Sequence, residues 1–469
     1  MCRLRLVVLL CCLVSRNRIG DILVKFIAVC IIILCIGCIG CIGCIGFYIQ
    51  SQFGKRTDTV SIAAVPWRDF FADSFLQALI DSGLANNSDL RIACLRIEEA
   101  AATLSAARLA YLPAISLNAQ GGISSFSGDK ASKTYSLALS AEWEIDIAGK
   151  LTARKRAAMA DFQQSRNYRQ AVATQLIASI ASYYYNLLML DRQMEISGES
   201  LEAWDEIIRT LEARKLVGES HEASVSQSRA SRMDVENTII SLSQQVRTTE
   251  NTLCTLLGSV PRHIDRGTLV SQTFPEHLSL GVPLQLLNNR PDIRQAEFAL
   301  QSAFYATDVA KAAFYPSLTL GGTIGWTNNS GAAIVNPGNW LLNAIGSIVQ
   351  PLFNRGRNLA DLRIARARQE EAVIEFQQKL LQAGAEVNEA LSQWQNAHRR
   401  MEITKRQISE LENAVRSTRL LMTYSNTASY LEVLTARQTL LNAQLRQLQE
   451  NFDRIQGVIK LYHALGGGE

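Results

Sequence analysis

Two hydrophobic periods alternate along the chain. From Tyr135 to Ile145 the apolar residues Tyr135, Leu137, Leu139, Ala141, Trp143 and Ile145 fall on every second position. Ser136, Ala138, Ser140, Glu142 and Glu144 lie between them, and Asp146 continues the alternation. Such a period predicts a strand with one apolar and one polar face. Ile115, Leu117, Ala119, Gly121 and Ile123 repeat the pattern, as do Leu318, Leu320, Gly322, Ile324 and Trp326; the run from Trp340 to Phe353 is weaker. Turn-rich connections, SSFSGDKAS and TNNSGAAIVNPGN, separate the members of each pair.

The second period is that of long helices. Phe376, Leu380, Ala383, Val387, Ala390, Trp394, Ala397 and Met401 advance in alternating steps of four and three, a heptad seam. Ala173, Leu176, Ile180, Tyr183, Leu187, Leu190 and Met194 form a matching seam, and Leu441, Leu445, Leu448, Phe452, Ile455, Ile459 and Tyr462 a third. Residues 358–424 contain no proline and a single glycine, Gly384. A helix of that length extends about 100 Å, more than an ordinary globular core needs. Polar breaks at KLVGESHEAS and TYSNTASYLE predict antiparallel returns, with Gly218 and Asn426 as left-handed helix ends and Ser220 and Thr427 as caps.

The two sets of elements are copies of one unit. Asp89, Arg91 and Pro113 align with Asp292, Arg294 and Pro316, and Gly149 aligns with Gly356. Each half reads helix, strand pair, very long helix, turn and helix. In the N-terminal strand pair, Glu142, Glu144 and Asp146 read as the lining of a watery lumen rather than a metal site. Four strands cannot close a barrel, and an open sheet edge in lipid is prohibitive. If these strands span a membrane, several chains must share one barrel; a half-buried strand in a soluble sheet gives the same alternation.

Composition narrows the field. A net charge of +4 over 469 residues gives no electrostatic case for nucleic acid. Eight of the ten cysteines lie in the first 44 residues; Cys94 and Cys254 sit in helical, apolar surroundings as small hydrophobes. A disulfide-built fold is thereby excluded. Basic residues Arg3, Arg5, Arg16, Arg18 and Lys25 precede an uncharged run from Phe26 to Phe47, the pattern of an export segment. Within it, Cys38, Cys41 and Cys44 each follow Ile-Gly, leaving either a lipid-attachment site or a tandem apolar repeat without cysteine chemistry. The histidines His221, His263, His277, His398 and His463 form no paired metal or nucleophile motif. No catalytic residue, metal site or cofactor is expected. A periplasmic coiled-coil adaptor anchored in the inner membrane carries one hairpin, whereas this chain has two, each behind its own strand pair. A soluble coiled-coil scaffold leaves the alternating strands unexplained.

The segment GVPLQLLNNRPDIRQAE, with AKAAFYPSLTL and the terminal LYHALGGG, resembles the TolC-like outer-membrane efflux channels, in their lipoprotein branch serving resistance-nodulation-division pumps. The resemblance covers residues 66–468. It implies a mainly α fold of duplicated long coiled-coil hairpins, with four β-strands per chain entering a homotrimeric twelve-stranded outer-membrane barrel. The implied function is a passive exit duct, lipid-anchored in the outer membrane, docking with a periplasmic adaptor (a membrane fusion protein) and an inner-membrane pump. The expected order is a leader over 1–46, first helices within 47–112, strands over 113–147, a hairpin over 148–257 and an equatorial linker over 258–290. A helix over 291–315, strands over 316–353, a hairpin over 354–465 and a tail over 466–469 follow. By the same resemblance the adaptor meets the hairpin tips, at Val217, Gly218, Ser220, Asn426 and Thr427, and the gate lies at Leu431, Glu432, Thr435, Arg437 and Gln438. Thr435 and Gln438 occupy the positions at which relatives carry the gating aspartate and an arginine. A looser gate, less sensitive to cations, is the expectation.

Overall fold

In the computed structural model the residues described are 66–125, 132–269, 272, 290–327, 339–424 and 430–467. They belong to one compact unit, Ile62–Glu276 with Leu286–Glu469. The first half comprises α1 (Trp67–Phe70), α2 (Ser74–Asn86), α3 (Ser88–Leu109), β1 (Ala114–Ser124), β2 (Ser132–Ile145), α4 (Lys150–Leu216) and α5 (Glu222–Leu256). The second comprises α6 (Pro291–Ala312), β3 (Ser317–Thr327), β4 (Asn339–Val349), α7 (Arg357–Tyr424) and α8 (Tyr430–Ala464).

The strands form one antiparallel sheet in the order β1-β2-β3-β4, so the halves join where β2 pairs with β3. Each strand pair feeds a long helix through a left-handed glycine, Gly149 at φ +74° and Gly356 at φ +77°. Helices α4 and α7 have 67 and 68 residues, about 100 Å each at 1.5 Å per residue. Neither contains proline, so nothing interrupts the hydrogen-bond ladder.

Each long helix runs beside two partners in succession: a 22-residue helix near the sheet and a 35-residue helix returning from the tip. The partners meet through the same kind of bond in both halves. Asn87, the N-cap of α3, donates from Nδ2 to the Leu256 carbonyl at the end of α5, 2.9 Å away. Arg290, the N-cap of α6, donates to the Ala464 carbonyl at the end of α8 at 3.0 Å. Both bonds satisfy carbonyls left open where a helix stops. Arg290 is buried and also holds Asp292 (2.8 Å) and Glu386 (2.7 Å). Burial opposes its charge, but the two carboxylates outweigh it and hold the guanidinium above its ordinary range. His463 beside it is pushed down, by burial and by the Arg290 charge, and stays neutral.

The core is thickest where these joints cross α4. Ile180, Tyr184, Leu187 and Leu188 are fully buried. Close approach matters at Gly83: a Cβ there would meet the Ile180 Cδ1 methyl, so any larger residue makes that side chain shift. Tyr184 donates to Asp73 at 2.6 Å, and Gln272 donates to the same carboxylate oxygen at 2.7 Å. Arg266 binds Asp191 through two bonds and Glu250 through a third, pinning the chain after α5 back onto α4. Nearer the tip, Trp204, Ile196, Val235 and Leu441 lock α4, α5 and α8 together.

Two local expectations change. Asp146 does not line a lumen. It accepts from the Leu151 and Thr152 amides at 2.9 Å each and from the Thr152 hydroxyl at 2.6 Å, closing the first turn of α4. Partial burial works against its ionisation, but these donors prevail and hold it below the usual carboxylate range. Glu144 beside it pairs with Lys150 at 2.8 Å. Ser220 does not cap α5 either: the N-cap is His221, without a side-chain capping bond. Thr427 and Asn426 lie outside the described residues.

Candidate duct, tips and gate

Register decides what each face of the sheet presents. Leu117, Leu139, Ile324 and Leu342 stand in one row across the four strands, and Ala119, Leu137, Trp326 and Trp340 in another. Ile115, Ala141, Gly322 and Ala344 form the next row of that face. The intervening rows belong to the other face. Ser116, Ser140, Thr323 and Asn343 form one, and Gln120, Ser136, Thr327 and Asn339 another. Cross-strand partners share a face, so one side is hydrocarbon and the other mainly polar, carrying hydroxyls, amides and the carboxylates of Glu142 and Glu144. Among the described residues nothing covers the apolar side; Leu342 is 80% exposed. No helix among the described residues is long and apolar enough to cross a membrane. Strands β1 and β4 each have one neighbour. Their outer edges carry unpaired backbone groups, which in lipid must find other strands.

The tip of the first hairpin closes by backbone geometry. Gly218 has φ +79°, its N–H donates to the Lys215 carbonyl at 3.1 Å, and Glu219 N–H reaches back to Arg214 O at 2.9 Å. Lys215 pairs with Glu222 across the turn. Leu216 and Val217 protrude from this polar frame at 89% and 72% exposure. Leu216 was not among the residues expected at the tip; an apolar side chain at a helix end with no heptad partner is the signal that marks it.

The gate residues fall on different sides of α8. Glu432 and Thr435 are exposed and three positions apart, on one face. Val433 is buried, and Arg437, four positions on, is half-buried on the same side. Burial lowers the Arg437 pKa and the charge of Arg419 lowers it further, with Glu206 opposing. Arg419 of α7 pairs with Glu206 of α4 at 2.7 Å. Arg437 therefore belongs to a charge group between α4, α7 and α8, and not with Glu432. Gln438 is half-buried. The side chain of Leu431 lies outside the described residues, as do Cys38, Cys41 and Cys44.

The family model for "Outer membrane efflux protein" matches residues 79–259 and 282–467, most of both halves. The chain belongs to this family. It is 31% identical over 408 residues to the cation efflux system protein CusC of Escherichia coli strain K12, covering 86% of this chain and 88% of that protein. It is 30% identical over 409 residues to the probable outer membrane lipoprotein SilC of Salmonella typhimurium, covering 86% and 88%. A crystal structure of CusC superimposes with TM-score 0.80 at 29% identity, spanning 89% of this chain and 99% of that one.

As an outer membrane efflux protein, the chain is a subunit of a passive exit duct, and its relatives are channel proteins rather than enzymes. It resides in the outer membrane. Four strands per subunit enter a trimeric twelve-stranded barrel, which removes both open edges. The apolar rows then meet lipid and the polar rows meet water. Leu139 and Ser140 are adjacent in sequence and opposite in environment. Leu139→Arg places a charge in hydrocarbon at a cost of about 2–4 kcal/mol near the midplane and should abolish heat-resistant trimers in outer-membrane fractions. Ser140→Arg should assemble normally and change single-channel conductance. Equal assembly of the two variants would reverse the face assignment.

Proposed function

We propose that the trimer is the terminal segment of a three-component efflux system. Its periplasmic hairpin tips dock onto a membrane-fusion adaptor, and an inner-membrane pump supplies the energy and selects the cargo. The observation that carries this reading is the exposed Leu216–Val217 pair at the end of a hairpin about 100 Å long. A solvated tip has no use for two uncovered apolar side chains, whereas a small apolar contact framed by Arg214, Lys215 and Glu219 suits a partner helix hairpin. Val217, Gly218 and Ser220 of the first tip, with Asn426 and Thr427 of the second, form the docking set.

The duct itself does no chemical work. Apart from the exposed Glu142 and the Lys150-paired Glu144, its polar rows are mainly hydroxyl and amide. Discrimination then rests with the pump. The gate reading follows from Thr435. A hydroxyl there cannot contribute to an acidic ring. Such a gate binds polyvalent cations weakly and leans on Leu431 for closure. The anchor is an acyl group on one of Cys38, Cys41 and Cys44.

Each reading has its own measurement. Leu216→Asp with Val217→Asp should leave heat-modifiable trimers intact and abolish adaptor cross-linking from a cysteine placed at residue 219. Undiminished cross-linking removes the tips from the interface. In planar bilayers, trivalent cations on the periplasmic side should leave the current largely unblocked, and strong block that depends on residues 432–438 refutes the loose gate. Mass spectrometry of the mature N-terminus should find acyl groups on Cys38, Cys41 or Cys44; an unmodified terminus elsewhere refutes the anchor assignment.

A further inference from the structure

The membrane-proximal end of the first half carries a cluster that the second half lacks. Trp143 stands in the apolar row with Leu320, two residues before β2 ends. Its indole N–H donates to the Tyr111 carbonyl at 2.9 Å. The Tyr111 hydroxyl shares a 2.9 Å hydrogen bond with the Thr152 hydroxyl. The Lys155 ammonium lies 5.5 Å from the centroid of the Tyr111 ring. These contacts lead from the lipid-facing side of the sheet onto one face of α4. Lys155 is exposed there and, among the described residues, has no carboxylate partner. Around it the surface is apolar, with Leu109, Leu112 and Met159 all exposed.

The internal repeat serves as a control. The alignment of Pro113 with Pro316 sets Tyr111 against Phe314, and that of Gly149 with Gly356 sets Thr152 against Leu359 and Lys155 against Leu362. The second half has hydrocarbon side chains at these three positions, and its helix start is tied back instead by Asn358, whose Nδ2 donates to the Ala313 carbonyl at 3.2 Å. Joining strand to helix therefore does not require the hydroxyls or the ammonium. Amphipathic rings settle at the level of lipid headgroups, and an ammonium on a long stem reaches past them toward water. The phosphate of a lipid headgroup occupies that depth. The helical side of the barrel is periplasmic, so the leaflet concerned is the phospholipid one.

We propose that Lys155, backed by Tyr111 and Trp143, binds the phosphate of an anionic phospholipid in the periplasmic leaflet, at one site per subunit. This rests on the lipid-facing assignment of the sheet, which the Leu139 and Ser140 variants test separately.

The test is native mass spectrometry of the detergent-solubilised trimer with added phosphatidylglycerol, phosphatidylethanolamine or lipid A. Wild type should retain phosphatidylglycerol over phosphatidylethanolamine, up to one molecule per subunit. Lys155→Met should lower that retention about five-fold, the contribution of one cation near an anionic surface. Lys155→Arg should preserve it, and Arg154→Met, on a different face of α4, should leave it unchanged. Lys155→Gln reads out the same loss if Lys155→Met does not assemble as a heat-modifiable trimer. Equal retention of the two phospholipids by wild type overturns the proposal. So does undiminished phosphatidylglycerol binding without the lysine charge, or preference for lipid A.

Discussion

An unpaired strand edge in hydrocarbon is the constraint on which this molecule depends. The sheet has an apolar face and two free edges, and among the described residues no element covers either. Backbone amides exposed to lipid cost several kcal/mol each, so the subunit cannot be a finished membrane protein alone. Closure by three copies removes every edge at once. It also dictates what lies beneath, because each strand must continue into a helix whose position in the wall is already set. The long helices are thus the barrel's continuation, and their single-layer wall needs heptad seams between neighbours instead of one thick core.

A wall of that length is stable only if it is braced, and the bracing is concentrated near the middle. Asn87 and Arg290 perform the same task in the two halves, tying the start of a short helix to the end of a returning one. The first half uses a neutral amide and the second a buried guanidinium with two carboxylates. The repeat kept the joint and changed its chemistry. Arg266 with Asp191 and Glu250, and Asp73 with Tyr184 and Gln272, add polar anchors around α4. Away from these anchors, the first tip holds the exposed apolar pair Leu216 and Val217.

The same divergence between halves points to lipid. A duplicated chain tests its own requirements: Thr152 also serves the junction through Asp146, but where one copy has leucine and the other Lys155 beside the Tyr111 ring, the ammonium answers to something beyond the junction itself. At the barrel's periplasmic rim that something is the headgroup layer.

Period-two and heptad patterns are local, so the strands, their faces and the long helices were legible in the residues alone. The fold class followed, because an apolar strand face and an open edge leave few solutions. Motif resemblance added the trimer and the duct, which periodicity does not contain. Contacts between distant segments were not legible. Alternation ran through Asp146 without showing that the strand had ended and that the carboxylate would cap a helix five residues on. The charge of Arg437 looked available until Arg419 and Glu206, on two other helices, were brought beside it. The path from Trp143 to Lys155 crosses a strand, a helix end and a second helix. The sequence by itself determined which faces are wet and which are oily, since that depends on neighbours two to four residues away. Tertiary structure alone decided which charges are engaged and which remain open to a partner, since that depends on residues brought together from across the chain.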